Sequence, residues 1–195
     1  NNVDFLNNVS TVDYDGYSLG AQAGALSVLN GSQSIFTNCT FVGNQSGGYG
    51  GGVYVEGSYP DFINVNFYGN NSTTAGGGGL VLHGSTVDVT NSIFWNNNPE
   101  QILFQHDGDA NSLTVVYSNI QGGQDSIVTN NNGTVTWGSG NIDVNPMFVD
   151  TANGNYHLND WSPLLGAGTP IGAPTTDIEG NPRPNPAGSN PDMGA

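Results

Sequence analysis

A seven-residue phrase recurs along this chain at a near-constant period. It reads Asn38-Cys39-Thr40-Phe41-Val42-Gly43-Asn44, then Asn64-Val65-Asn66-Phe67-Tyr68-Gly69-Asn70, then Asn91-Ser92-Ile93-Phe94-Trp95-Asn96-Asn97. A weaker copy begins at Tyr117 and an earlier one at Asn2. The starts at 2, 38, 64, 91 and 117 make the last three steps 26, 27 and 26 residues. A fixed period in this range marks a solenoid, in which each repeat packs only on its neighbours.

A second phrase precedes each copy at constant phase. Ala25-Leu26-Ser27-Val28-Leu29-Asn30-Gly31-Ser32 aligns with Gly52-Val53-Tyr54-Val55-Glu56-Gly57-Ser58 and with Gly79-Leu80-Val81-Leu82-His83-Gly84-Ser85. Short apolar and β-branched runs bounded by Gly and Ser are strand chemistry. No stretch places apolar residues at helical spacing, and Gly is too frequent for helices. Three inward columns follow: Phe36, Phe62, Val89 and Val115; Cys39, Val65, Ser92 and Ser118; Phe41, Phe67, Phe94 and Ile120. The first and second columns are three residues apart. Side chains alternate along a strand, so an odd step contains a bend. Asn38, Asn64 and Asn91 sit in it, and Asn tolerates left-handed backbone. Asn44, Asn70 and Asn97 mark the next corner. The bend residues Asn38, Asn64 and Asn91, stacked one repeat apart, are predicted to form a hydrogen-bonded ladder.

These repeats resemble the right-handed parallel β-helix family, in particular the repeat-rich secreted and surface proteins of bacteria. The resemblance covers residues 1–137 and implies an all-β solenoid. About six turns are expected, spaced roughly 4.8 Å apart in a rod on the order of 25–30 Å long. Beyond residue 137 the period is lost and Pro, Gly and Asn rise. The phrases Asn145-Pro146-Met147-Phe148-Val149-Asp150, Asn155-Tyr156-His157-Leu158, Asp177-Ile178-Glu179-Gly180-Asn181-Pro182-Arg183-Pro184 and Pro191-Asp192-Met193-Gly194-Ala195 follow in order. This segment, 138–195, is similar to the choice-of-anchor Q module that follows bacterial β-helices. That module usually has Asp where Gly166 stands and runs on past its Asp-x-Gly-Ala phrase, so a further segment is expected beyond Ala195. The segment is expected to cap the last turn, since a bare solenoid end exposes strand edges.

Composition narrows the function. Sixteen carboxylates face one basic residue, Arg183, for a net charge of −15. Nucleic acid and anionic membrane both require basic surface. No apolar run approaches the roughly 20 residues of a membrane helix, so no membrane insertion by this segment is expected. One cysteine, Cys39, excludes an internal disulfide and reads as a small buried residue.

Enzymatic chemistry finds little purchase. Lyases of the resembled fold generally use Lys or Arg, and the repeats have neither. Asp61 and Asp88 share a column one turn apart, roughly 5 Å, which is within the spacing of a retaining glycosidase pair. No acid-rich neighbourhood surrounds them, and the plainer reading is two solvated acids. Calcium is the better candidate ligand. Asp107-Gly108-Asp109-Ala110-Asn111 alternates oxygen-bearing side chains on a turn, making Asp107, Asp109 and Asn111 the candidate metal ligands. Ser112 and Ser118 stand where an EF-hand needs Gly and Glu, and Asp13-Tyr14-Asp15-Gly16 is a weaker version. No metal or cofactor is required by the reading. Tyr54 and Tyr68 fall in outward columns and are candidate sugar-stacking residues. The chain is therefore expected to be a non-enzymatic, secreted or cell-surface structural or adhesive protein. Because it begins inside a repeat, its end is expected to meet another copy, giving filaments, or the remainder of a longer chain. A carbohydrate-binding or carbohydrate-cleaving module is the alternative, with polysaccharide as partner.

Overall fold

The computed structural model describes residues 1–11, 22–74 and 76–195. The candidate turn at Asp13 and Asp15 lies outside them. The described strands stack as a parallel β-solenoid of about four turns. Three five-stranded parallel sheets form its walls. The side sheet contains Ile35–Thr37, Asp61–Ile63, Thr86–Thr90, Asn111–Val116 and Gly133–Trp137. The front sheet contains Val3–Leu6, Cys39–Val42, Asn66–Tyr68, Ile93–Trp95 and Asn119–Ile120. The back sheet contains Leu26–Leu29, Val53–Glu56, Leu80–His83, Ile102–Phe104 and Ile127–Val128. A short bridge sheet of Val9–Ser10, Gln45–Ser46 and Asn71–Ser72 joins front to back. The expected six turns reduce to four because five strands in a column enclose four windings. The first winding also spends 36 residues, from Val3 to Cys39, where later ones spend 26 or 27.

The columns meet in register. Phe5 pairs with Phe41, Phe41 with Phe67, and Phe67 with Phe94. Their rings stack at 4.6, 4.9 and 4.3 Å between centroids, nearly parallel. Phe36 and Phe62 form a second stack at 5.1 Å, and Phe62 meets Phe41 and Phe67 edge-on. Identical residues in register must repeat one geometry, and an offset stack is a low-energy one for aromatics. Val53, Val55, Leu80, Leu82, Ile102 and Phe104 close the core from the back sheet. Cys39 is buried within the same core, and that burial pushes its thiol pKa up, which keeps it protonated.

The two Asn corners behave differently. Asn38, Asn64 and Asn91 all have left-handed backbone, with φ of 50, 53 and 50°, and their ladder is interrupted: Asn38 Nδ2 donates to Asn2 Oδ1 at 3.2 Å and Asn91 Nδ2 to Asn64 Oδ1 at 3.3 Å, while Asn64 Nδ2 turns to Asp192 O and Gly194 O. Asn44, Asn70 and Asn97 form a continuous buried ladder. Asn44 donates through its backbone N–H and its Nδ2 to Asn70 Oδ1, at 3.0 and 2.9 Å. Asn70 does the same to Asn97 Oδ1, at 3.0 and 2.8 Å. Serine builds a further ladder: the N–H of Ser32 donates to Ser58 Oγ, that of Ser58 to Ser85 Oγ, and that of Ser85 to Asn111 Oδ1. Among the described residues no buried side-chain nitrogen or oxygen lacks a partner.

Glycine runs stack backbone against backbone where the chain crosses from bridge to back sheet. A Cβ on Gly51 would lie 2.5 Å from Asn71 N, and one on Gly78 would lie 2.3 Å from Asn98 N. The recurrence of Gly50-Gly51-Gly52 and Gly77-Gly78-Gly79 is therefore a close-approach requirement.

Residues 138–144 continue the last turn. The Gly138 N–H donates to Val115 O and the Ile142 N–H to Ser118 O. Asn119 and Val144 exchange two bonds, at 2.9 and 3.0 Å. The rest of the segment does not stay at that end. It turns back along the outward side of the front sheet and crosses earlier turns. Asn38 Nδ2 donates to Thr176 O at 2.8 Å, Asn64 Nδ2 to Gly194 O at 2.9 Å, and Asn91 Nδ2 to Thr169 O at 2.9 Å. Leu164 and Met193 bury Ile93. Arg183 donates to Asn38 Oδ1 and Gly194 O, at 3.0 and 3.1 Å. The Asn38 corner thus serves as a row of outward amide donors that seats the segment along the rod.

Candidate functional site

The proposed calcium turn separates into two parts. Asp107 and Asp109 are exposed on the loop between Phe104 and Asn111. Asn111 is buried, 2% exposed, as a member of the serine ladder. Its Oδ1 accepts from the Ser85 N–H at 3.1 Å and its Nδ2 donates to Asn132 O at 3.1 Å. The sequence placed it in a turn because it follows Asp-Gly-Asp. Its phase with Ser58 and Ser85 is what governs it, and it is withdrawn as a metal ligand. No group of three or more His, Cys, Asp or Glu converges among the described residues.

Tyr54 also corrects an expectation. Its column points outward from the back sheet, yet it is 3% exposed. The glycine-rich connections fold over this face, and Tyr54 packs with Val81 and Leu103 beneath Tyr49. Its hydroxyl shares a 3.0 Å hydrogen bond with His83 Nδ1. Burial, and then the Glu56 charge, push its pKa well up. Tyr54 cannot offer a sugar a ring face. His83 lies 3.8 Å from Glu56 through Nδ1 and 3.9 Å from Asp107 through Nε2. The two carboxylates sit on opposite nitrogens, so they do not converge on one cation.

Asp61 and Asp88 are register partners on the outward side of the side sheet, flanked in the column by Ile35 and Thr114. Burial, and then the Asp88 charge, raise the Asp61 pKa. A carboxyl whose folded pKa is raised contributes stability at low pH that is lost as the pH climbs through that raised value. Asp88→Asn removes the like charge. It is expected to stabilise the protein at pH 7 by ~0.5 kcal/mol, discounted for solvent screening, and to add nothing near pH 3. Urea melts at the two pH values test this.

Tyr68 stands in a different setting. It is half-buried on the front sheet, directly in register with Trp95 on the next turn. Phe148 meets its ring edge-on at 5.5 Å and Tyr156 lies 5.2 Å away. Both belong to the antiparallel hairpin Phe148–Asp150 with Asn155–Leu158. Its hydroxyl accepts from Asn96 Nδ2 at 3.1 Å. Beside it, Trp95, Asn96, Asn145, Met147 and Asn159 line a cleft of about 390 Å³ between the front sheet and the segment 145–159. The Asn145 Oδ1 accepts the Met147 N–H at 2.9 Å, and the Asn159 Oδ1 accepts the Trp161 N–H at 2.9 Å. Both carboxamides are thereby oriented with Nδ2 left to donate. Trp161 itself is 84% exposed. Ser162, the next residue, anchors the turn by donating to Pro146 O at 2.7 Å.

A larger cleft of about 730 Å³ opens further along the same face, lined by Asp4, Thr40, Glu179, Arg183 and Asp192. Its acids are engaged: Asp4 by Thr40, Glu179 by His157, and Asp192 by the Gly166 N–H.

Of the sequence candidates, Tyr68 lies at a cleft. Trp95 was signalled by its column, Val42, Tyr68 and Trp95, whose members grow more aromatic along the rod. Asn145 and Asn159 reach the site through the return of the non-periodic segment, which no repeat encodes. The chain matches no protein-family model, no curated protein and no solved structure. The parallel β-solenoid is thus the class to which the fold assigns it, and the choice-of-anchor resemblance rests on its motifs alone.

Proposed function

We propose that this chain is a non-enzymatic structural or adhesive β-solenoid of the secreted or cell-surface kind. The observation that carries the reading is the use of neutral amides and hydroxyls as internal ladders. The Asn44, Asn70 and Asn97 ladder is hydrogen-bonded from turn to turn. Each turn therefore adds its own core and polar spine, the behaviour of a stiff, extensible rod.

Assembly is part of the proposal. On the first turn Val3, Val9 and Ile35 are 41, 63 and 61% exposed. Their strands lie at the outer edge of their sheets. Such an edge templates further parallel pairing, by another copy or by the remainder of a longer chain. Negative-stain electron microscopy of the untagged protein tests this. Filaments with an axial repeat near the rod length support end-to-end assembly; isolated short rods at all concentrations sink it and leave a stalk. Release of soluble product from polysaccharides would overturn the non-enzymatic part. Calcium remains proposed as an accessory ligand at Asp107 and Asp109 only. It stands if millimolar calcium raises the melting temperature and Asp109→Ala abolishes the rise.

A carbohydrate-binding role is the second reading, favoured by the cleft beside Tyr68.

A further inference from the structure

We infer that the cleft between Trp95 and Asn159, with the exposed Trp161 two residues further along the chain, is a binding site for a neutral glycan chain. The inference gives the adhesive reading a ligand, and rests on it only for where the protein would meet one.

Three properties converge. The first is the lining. Sugars present hydroxyl groups on a ring with apolar C–H faces, and are recognised by oriented neutral donors beside flat aromatic surface. The cleft supplies both. Asn145 and Asn159 each have Oδ1 held by a backbone N–H, which leaves each Nδ2 to donate. The Tyr68 hydroxyl accepts from Asn96 and keeps its own proton to donate. Trp95 and Phe148 supply aromatic wall. The volume of about 390 Å³ lies in the range of small-ligand sites.

The second is preorganisation. Phe148 and Tyr156, themselves 5.8 Å apart, pack together on the Tyr68 ring at 5.5 and 5.2 Å. Tyr68 lines the cleft with its hydroxyl already oriented by Asn96. The Asn159 N–H donates to Met147 O, and Ser162 ties the following turn to Pro146. Groups fixed before binding lose little entropy when a ligand arrives.

The third is Trp161. An indole left 84% exposed forgoes the burial that a side chain of this size ordinarily finds. Its backbone N–H is held by Asn159, so it stands two residues from a cleft donor on an anchored turn. Its exposed indole gives a glycan running out of the cleft past Asn159 a flat face to stack on.

Charge selects the glycan class. No carboxylate, Lys or Arg lines the cleft. The whole chain carries −15, which repels uronates and sulfated sugars. The ligand is therefore a neutral chain of hexose, pentose or N-acetylhexosamine units.

Isothermal titration of the intact protein with hexasaccharides of glucose, mannose, galactose, xylose and N-acetylglucosamine tests the inference. Hexagalacturonate and a proline-rich peptide serve as competing chemistries. At least one neutral hexasaccharide is expected to bind, with hexagalacturonate at least ten-fold weaker or silent. Trp161→Ala should weaken binding by about ten-fold or more, and Tyr68→Phe by roughly three- to ten-fold. Both variants should retain the parent melting temperature within a few degrees, because one residue is exposed and the other keeps its ring. Silence toward all five neutral chains at millimolar concentration overturns the site. So does binding that neither variant alters, or binding confined to the acidic chain or the peptide. Filament formation is read separately, so failure of either proposal leaves the other intact.

Discussion

Asn70→Ala is expected to cost about 4 kcal/mol of folding stability, a large part of what a domain of this size possesses. The side chain is fully buried and makes four bonds. Its Oδ1 accepts from the backbone N–H and the Nδ2 of Asn44, and its Nδ2 donates to Phe41 O and Asn97 Oδ1. Truncation removes one partner from each of these groups in a place with little room for water. A buried donor or acceptor left unmade costs roughly 1–3 kcal/mol, more than the net worth of the bond itself. Asn70→Asp separates this account from simple loss of volume. A carboxylate keeps the two bonds from Asn44 but faces Phe41 O and Asn97 Oδ1 with no proton to give. It should therefore be as damaging as alanine at pH 7 and partly recover below pH 4, where a protonated acid can donate. Urea denaturation of the parent and both variants at the two pH values is the measurement. A loss below about 1 kcal/mol for Asn70→Ala would mean the ladder is incidental to stability.

The parts of this molecule that could be read from sequence are those in which one turn repeats another. The left-handed backbone at Asn38, Asn64 and Asn91 follows from an odd step between inward columns, and φ near 50° is what the bend contains. The aromatic columns Phe41, Phe67 and Phe94 stack because register in a parallel sheet puts equivalent residues against each other. Where reading stopped short, a non-periodic element intervened. Tyr54 was given the solvent side of its strand correctly. The strand's period says nothing of the glycine connections that return over that side. Asn111 was assigned to its local turn, when its partner one winding back, Ser85, decides where its amide goes.

The segment 138–195 is the clearest case. Its Pro, Gly and Asn content identified it as distinct from the repeats. Its destination is set by contacts 78 to 145 residues away in sequence, such as Asn91 to Thr169 and Arg183 to Asn38. Those Asn residues were legible as corner formers. Their second use follows from the same geometry, since a left-handed corner turns the carboxamide outward, where the segment's carbonyls find it. The cleft beside Tyr68 is a product of that seating. One wall comes from the repeat and the other from the segment, so only half of it was visible in the text of the chain.

Phe67→Ala is expected to cost roughly 3–5 kcal/mol, and to do so locally. Phe67 is fully buried and sits between Phe41 at 4.9 Å and Phe94 at 4.3 Å, with Phe62 edge-on at 5.4 Å. Removing the ring leaves a void that its neighbours cannot fill, because each is held by backbone pairing in its own turn. Phe67→Leu retains most of the volume and should cost much less, about 1–2 kcal/mol, through lost stacking and altered shape. The distinguishing readout is hydrogen exchange. In a stack whose units touch only their neighbours, protection is expected to fall most at Cys39–Val42, Asn66–Tyr68 and Ile93–Trp95. The last side-sheet strand, Gly133–Trp137, lies three strands from Asp61–Ile63 in its column and should exchange much as in the parent. A uniform loss of protection would instead make the solenoid one cooperative unit. The rod would then fail as a whole under load, where a turn-by-turn stack would fray only beside the lesion.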